Sequence, residues 1–130
     1  MNRNGKLIIA AMAAALAVSL PALAHHSFAM FDSSKEVEVK GTVHEWQWTS
    51  PHTWLYLLVP SGKKEPDKYS IEGGNPGLLR RQGFAKGSLK PGDVVTVYMQ
   101  PLRNGEKGGA INAVVLPDGT MLGERLKVAP

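Results

Sequence analysis

The amino-acid sequence predicts an all-β domain with one short helix, and three observations indicate this fold class. From Lys35 onward apolar and polar residues alternate, as in strands that bury one face. The apolar stretches are separated by turns rich in proline and glycine, such as 60–62 and 90–93. A strong helix-start signal stands at Asn75-Pro76, where asparagine suits the cap and proline the first helical position.

These patterns divide the chain into five predicted strands, with the helix between the third and the fourth. We expect Leu78, Leu79 and Phe84 to face the core. Arg80 and Arg81 should then face solvent. The predicted strands are 35–48, 52–59, 68–72, 94–99 and 110–116.

Three strands, a short helix and two further strands follow the order of an OB-fold, a five-stranded Greek-key barrel. We therefore predict a small OB-like barrel over residues 35–122, with an arm over 25–34 before it and a tail over 123–130 after it. Barrel closure removes exposed sheet edges, which suits a domain that has no cysteine for disulfides. The alternative architecture is a six-stranded sandwich or an open meander.

Residues 1–24 contain the three parts of a secretory signal peptide in the right order. Arg3 and Lys6 supply the positive start, residues 7–18 are apolar and uncharged, and Ala22-Leu23-Ala24 is a small-residue cleavage site. The apolar run is shorter than the ~20 residues that a membrane-spanning helix needs. We therefore expect cleavage after Ala24, a periplasmic domain and no membrane anchor on the mature protein.

The charge and composition of the chain argue against some classes of function. The 15 Lys and Arg residues exceed the 11 Asp and Glu residues by four, and removing Arg3 and Lys6 leaves an excess of only two. So small an excess gives little support to nucleic-acid binding, and we expect no nucleic acid among the partners. The absence of cysteine excludes a thiolate nucleophile. Because no nucleophile elbow or recognisable carboxylate pair is present either, we predict that the chain is not an enzyme.

Several motifs of the mature chain are distinctive when taken together. They are Ala-His-His-Ser-Phe at 24–28, Trp-Thr-Ser-Pro-His-Thr-Trp at 48–54, Glu-Gly-Gly-Asn-Pro at 72–76, Arg-Arg-Gln-Gly-Phe at 80–84 and Leu-Lys-Pro-Gly-Asp at 89–93. Over essentially the whole mature chain, the sequence resembles a family of small exported bacterial proteins that is catalogued as domain of unknown function 6152. The resemblance implies no established activity, so function has to be inferred from the residues.

Histidines are concentrated near the start of the predicted mature chain, at His25, His26, His44 and His52. Cleavage after Ala24 gives His25 a free α-amine, which can chelate one ion together with its ring Nδ1. A third imidazole completes a set of three nitrogens, which suits Cu(II) by ligand type and geometry. An α-amine has a pKa of ~7.7–8.0, so proton competition is mild at neutral pH. Copper is therefore the cofactor that these residues suggest; the alternative is that they are only accessible polar side chains.

The choice of the third histidine depends on the first hairpin, whose turn we expect to centre on Ser50. Trp48 then lies opposite His52. His44 lies opposite Tyr56, and all four side chains point to one side of the sheet. His44 and His52 would be separated by about four residues along the strand ladder, or roughly 13 Å, whereas ligands of one ion lie within about 4 Å of each other. Only one can join the N-terminal pair, and we favour His52; a β-bulge would relax this conclusion.

The same hairpin would place four aromatic side chains on one face, namely Trp46, Trp48, Trp54 and Tyr56. One interpretation is a stacking platform for a flat or sugar-like ligand, on the face that OB-folds often use. The other, which we favour, is a cross-strand aromatic core.

A further candidate site combines residues 72–76 with Arg80 and Arg81, because backbone amides at a helix N-terminus can hold an anion. The simpler interpretation is a glycine turn, an asparagine cap and two solvated arginines.

These observations predict an exported binding module of unknown physiological role that binds copper through its N-terminal histidines. The alternative function is a metal-free module that uses the aromatic hairpin surface. The expected partner is an unidentified periplasmic protein or a small ligand.

Overall fold

The computed structural model describes residues 29–127, so the predicted signal peptide, His25 and His26 lie outside the described residues. Six strands and one helix follow one another along this part of the chain. They are β1 (Val37–Gln47), β2 (Thr53–Val59), β3 (Asp67–Gly73), α1 (Pro76–Arg81), β4 (Val94–Pro101), β5 (Gly108–Val115) and β6 (Met121–Gly123). Within residues 29–127, no helix has the length and hydrophobicity that crossing a membrane requires.

The first five strands form a closed barrel. Neighbouring strands are antiparallel along the order β3, β2, β1, β4, β5. A parallel pairing of residues 70–72 with 108–110 then joins β3 to β5 and closes the barrel. With α1 between β3 and β4, this is the topology of an OB-fold, and the predicted fold class is confirmed.

A short sixth strand extends the sheet beyond the prediction. β6 pairs antiparallel with the second half of β5, past the residues of β5 that pair with β3. The turn before β6 is closed by backbone hydrogen bonds from Gly119 to Leu116 and from Leu116 to Thr120. Three residues are too few to show an alternating pattern, so the sequence indicates only the turn at 117–120 and not the strand that follows it.

β1 is shared between two neighbours, because its first half pairs with β4 and its second half with β2. Gly41 lies near this change of partner. A Cβ atom at this position would lie 2.5 Å from the carbonyl oxygen of Leu58 and 2.9 Å from Cγ of Leu57. The absence of a side chain therefore lets β1 and β2 approach closely.

The barrel core is completed by the chain that follows β3. Leu79 in α1 and Phe84 after it are each 2% exposed, as expected from the sequence. Leu78, which we also expected in the core, is 45% exposed, because a helix of six residues turns its two adjacent leucines in different directions. The buried apolar residues of the strands are Val43, Leu55, Leu57, Ile71, Val95, Val97, Met99, Ala113 and Val114.

Glu36, just before β1, ties the C-terminal segment to the barrel. Its carboxylate accepts hydrogen bonds from Nδ2 of Asn112 at 2.9 Å, Nε of Arg125 at 2.8 Å and the backbone N–H of Leu126 at 2.6 Å. Burial alone raises the pKa of this carboxyl, but the three hydrogen bonds outweigh burial, and the pKa of Glu36 lies below its ordinary value. The guanidinium of Arg125 also covers the ring of Tyr98 at 4.0 Å from its centroid.

Candidate functional site

The register of the first hairpin differs from the expected one. Val43 lies opposite Leu57, but after a shift at His44 the pairs are Trp46 with Leu55 and Gln47 with Trp54. A β-bulge adds one residue to one strand, so every later side chain of that strand changes face. The prediction that Trp46, Trp48, Trp54 and Tyr56 share one face is therefore wrong.

Two of the tryptophans belong to the interior. The ring of Trp46 lies 5.7 Å from Trp48 and 6.1 Å from Phe84, measured between centroids. Nε1 of Trp46 donates a hydrogen bond to the carbonyl oxygen of Ala85 at 3.2 Å. Both tryptophans are partly buried against the barrel core. Trp46 and Trp48 thus pack against the core with each other and with Phe84, and not as the cross-strand cluster with Trp54 and Tyr56 that we favoured.

The helix start after β3 is explained by capping. Oδ1 of Asn75 accepts a hydrogen bond from the backbone N–H of Leu78 at 2.9 Å. The guanidinium of Arg80 lies 5.6 Å from the ring centroid of Trp48, and Arg81 is exposed. These contacts fit the simpler interpretation, a capped turn with arginines on its surface.

His52 and Glu72 form the most specific polar pair of the hairpin region. Nδ1 of His52 lies 2.9 Å from Oε1 of Glu72, and the side chains are 43% and 15% exposed. An ionised carboxylate only accepts hydrogen bonds, so Nδ1 donates and the neutral ring keeps a lone pair on Nε2. In metal sites a carboxylate commonly orients a ligating imidazole in this way.

The backbone around this pair is held firmly. Oγ1 of Thr49 donates to the carbonyl oxygen of His52 at 2.7 Å. Thr53, which is fully buried, donates to the carbonyl oxygen of Gly74 from both its N–H and its Oγ1. Next along β2, Trp54 lies directly opposite Glu72 of β3. The β2–β3 ladder therefore sets the position of Glu72 relative to His52.

Glu72 also lines a groove of about 170 Å³ between the barrel and the start of the described chain. The residues that matter for its chemistry are Met30, Phe31, Trp54, Glu72, Glu106 and Lys107. Phe31 is buried and forms an isolated bridge with Leu102. The carbonyl oxygen of Met30 accepts from Arg103 N–H at 2.9 Å. The N-terminal segment is thus attached to the barrel beside Glu72.

This attachment limits where the predicted N-terminal ligands can reach. His26 precedes Met30 by four residues, and a fully extended chain of four residues spans at most about 14 Å. His25 and His26 lie outside the described residues, so only this covalent limit applies to them.

His44 lies apart from this pair. It is an exposed residue at the bulge of β1, beside the step between Tyr56 and Leu57 of β2. Four residues along β2 separate Tyr56 from His52, which is roughly 13 Å. Among residues 29–127, no three His, Asp or Glu side chains are grouped as a metal site.

The outer face of β2 carries the other aromatic residues. Trp54 and Tyr56 alternate with the buried Thr53, Leu55 and Leu57. Nζ of Lys68, on the neighbouring strand, lies 5.0 Å from the ring centroid of Tyr56. The sequence did not identify Lys68 or Met30 as site residues, and it considered Glu72 only as part of the candidate anion site at 72–76. The positions of these residues depend on the pairing of β2 with β3 and on the docking of the N-terminal segment.

Comparison with known proteins gives a family and a fold relative. No curated protein matches the sequence significantly. A solved structure with some similarity is the mitochondrial single-stranded DNA-binding protein Rim1 of S. cerevisiae, at 12% identity and a TM-score of 0.49. The match covers 64% of this chain and 93% of Rim1.

The general exclusion of nucleic acid, which we based on net charge, is wrong, because this relative is a single-stranded DNA-binding protein. DNA binding is a property of Rim1, and this distant similarity assigns no ligand to the present chain. The model of the DUF6152 family of unknown function matches residues 13–112. The chain therefore belongs to the DUF6152 family.

Proposed function

We propose that this protein is an exported metal-binding module that holds Cu(II) with the amino terminus and imidazole of His25, the imidazole of His26 and Nε2 of His52. The observation that carries the proposal is the 2.9 Å hydrogen bond between Nδ1 of His52 and Oε1 of Glu72. It leaves Nε2 as a lone-pair donor on a ring whose orientation is set by a carboxylate.

Copper suits this donor set better than other common ions. Imidazole and amine nitrogens in a tetragonal arrangement are typical of Cu(II). The absence of cysteine leaves nitrogen, oxygen and thioether donors as the available ligands. Glu72 does not bind the ion in this proposal; it orients the His52 ring.

Export is part of the proposal, because the chelating amine exists only if cleavage occurs after Ala24. The apolar run at 7–18 and the small residues at 22–24 support that cleavage. The groove that begins at Met30 supports the geometry, since Met30 and Glu72 are two of its walls. If cleavage occurs after Ala24, at most about 14 Å of extended chain separates His26 from Met30, which lines the same groove as Glu72.

The test is a Cu(II) titration of protein secreted with its own leader, with the amino terminus established by mass spectrometry. We expect a tight site of one ion per chain. One extra residue before His25, or His52→Gln, should weaken binding at least tenfold. His44→Gln is the matched control and should leave the affinity unchanged. Equal affinities for the extended protein, the His52 variant and the wild type would overturn the proposal.

The second candidate is a metal-free module that binds a flat or sugar-like ligand on the outer face of β2. The observation that favours it is the outward position of Trp54, which lines the groove, and of Tyr56 with Lys68 beside its ring. Acrylamide quenching of a protein that retains only Trp54 tests this face. Strong quenching that a ligand suppresses, with no copper binding, would favour this candidate over the first.

A further inference from the structure

We propose that the stretch 74–92 between β3 and β4, here called the basic connection, is a docking surface for an anionic lipid membrane. The inference uses only residues that the structure describes and does not rest on the proposed metal site. It adds a partner that the protein would contact at its surface without spanning it.

The charge of the basic connection is the first argument. It contains Arg80, Arg81, Lys86 and Lys90 and no Asp or Glu. The other residues of 29–127 carry nine Lys and Arg against all 11 Asp and Glu of the chain. The positive excess of the described residues therefore lies entirely in this one connection. A patch of one sign attracts a partner of the opposite sign even where the net charge of the whole chain is small.

The availability of these charges is the second argument. All four basic residues are exposed, and none of them forms a salt bridge with a residue of 29–127. By contrast, Lys107 is paired with Asp67, and Arg125 is paired with Glu36. The charges of the basic connection can therefore interact with lipid phosphate groups, to which basic residues near a membrane are attracted.

Apolar side chains beside the cations are the third argument, and they favour a membrane over other anionic partners. Leu78 is 45% exposed on α1, and Arg81, three positions later, is its neighbour on the helix surface. The ring of Trp48 is partly buried and lies 5.6 Å from the guanidinium of Arg80. Leucine and tryptophan side chains enter the boundary between lipid headgroups and acyl chains, while basic residues remain at the headgroups. An exposed leucine has no complementary group on a phosphodiester backbone.

The tryptophans of β1 and the turn after it hold this surface together. Nε1 of Trp46 donates a hydrogen bond to the carbonyl oxygen of Ala85 at 3.2 Å. The ring of Trp46 lies 5.7 Å from that of Trp48, which is the ring beside Arg80. Lys86 directly follows Ala85 in the chain. The cations of α1 and the residues that lead to Lys86 thus lie around one pair of indole rings.

The test is co-sedimentation with lipid vesicles of the protein secreted with its own leader. The vesicles contain phosphatidylcholine alone or with an equal amount of phosphatidylglycerol. We expect binding to the acidic vesicles only, and weaker binding at high salt, because salt screens exposed charges. Removal of two cations by Arg81→Gln with Lys86→Gln should weaken binding at least about tenfold.

The matched control is Lys63→Gln with Lys64→Gln. These lysines are exposed in the loop at 60–66, and their replacement removes the same charge from another part of the surface. We expect this control to change vesicle binding less than about threefold, since the charges lie outside the basic connection. All variants carry the same amino terminus, so any effect of the leader is common to them, and circular dichroism checks that each is folded. Equal losses in the two double variants would show that only net charge matters and would overturn the docking surface.

Leu78→Gln separates a lipid membrane from other anionic partners, because it leaves the charge unchanged. We expect it to weaken binding to the acidic vesicles severalfold, since an apolar side chain is lost from the interface. Unchanged vesicle binding in this variant would contradict the apolar contact. Binding of the wild type to a single-stranded oligonucleotide, without binding to acidic vesicles, would overturn the assignment of a membrane as the partner.

Discussion

Nδ1 of His52 donates a hydrogen bond to Oε1 of Glu72 across 2.9 Å, which joins the end of the first hairpin loop to the third strand of the barrel. Loss of a carboxylate that orients a ligating histidine commonly costs 10–100-fold in metal affinity. We therefore expect Glu72→Ala to weaken Cu(II) binding about tenfold or more. Glu106→Ala is the control, because Glu106 lines the same groove and has no side-chain contact with a histidine among residues 29–127. Equal losses in both variants would mean that groove charge, and not the orientation of His52, determines affinity.

The close approach of β1 and β2 gives a second prediction. Gly41→Ala would place a methyl group 2.5 Å from the carbonyl oxygen of Leu58, so the strands must move apart. Overpacking of this kind costs about 1–3 kcal/mol of unfolding free energy. Gly87→Ala is the control, since no heavy atom lies within 4 Å of a Cβ atom there. Urea unfolding of the two variants measures the difference, and equal stabilities would contradict the prediction.

Glu36 predicts a specific dependence of stability on pH. Its pKa is lower in the folded protein than the ordinary value of 4.5, so ionised Glu36 stabilises the fold at neutral pH. This contribution is complete above the ordinary value and is lost as the pH falls through the lowered folded pKa. At pH 7, Glu36→Gln should reduce the unfolding free energy by about 1–3 kcal/mol, because the charge-assisted hydrogen bonds to its buried carboxylate are weakened or lost.

Measuring the unfolding free energy at acid pH separates the contribution of Glu36 from those of other carboxylates. Asp32, Asp67 and Asp118 also have pKa values below their ordinary ones, and the Glu36→Gln variant retains all three. The stability difference between variant and wild type should therefore shrink below pH 4.5. Glu38→Gln, an exposed change on β1, should show no such dependence. A difference that stays constant down to acid pH would show that Glu36 acts through shape and not charge.

The bulge at His44 places Trp46 and Trp54 in different environments, so their substitution should change stability by different amounts. Trp46→Phe removes the hydrogen bond to Ala85 and part of a packed ring, and should cost about 1–2 kcal/mol. Trp54→Phe on the outer face should change stability by less than about 0.5 kcal/mol, as is usual for surface positions. Chemical unfolding followed by circular dichroism compares the two, and the reverse order would contradict the observed register.

Local patterns were sufficient to predict the fold class. Alternation along β1 and β2, the Asn75-Pro76 cap and the burial of Leu79 all follow from short stretches of sequence. They determine which face of an element is apolar, and the strand order then leaves few topologies. The helix sequence also indicates an apolar face, but its six residues are too few to show that Leu79 is buried and Leu78 is exposed.

The candidate site was less predictable, because it depends on long-range register. One extra residue at His44 reversed the faces of Trp46 and Trp48 relative to the expected register. The partnership of His52 with Glu72 depends on how β2 pairs with β3 across the loop at 60–66, which no local pattern determines.

The parallel pairing of β3 with β5 has a consequence for the groove. It connects residues 70–72 with 108–110, so the barrel is closed by a contact between segments far apart in sequence. Ser70, Glu72 and Gly109 belong to both this closure and the groove, so the groove exists only when the barrel is closed. Any ligand held there would bind the closed state alone, and its binding free energy would slow the reopening of the barrel.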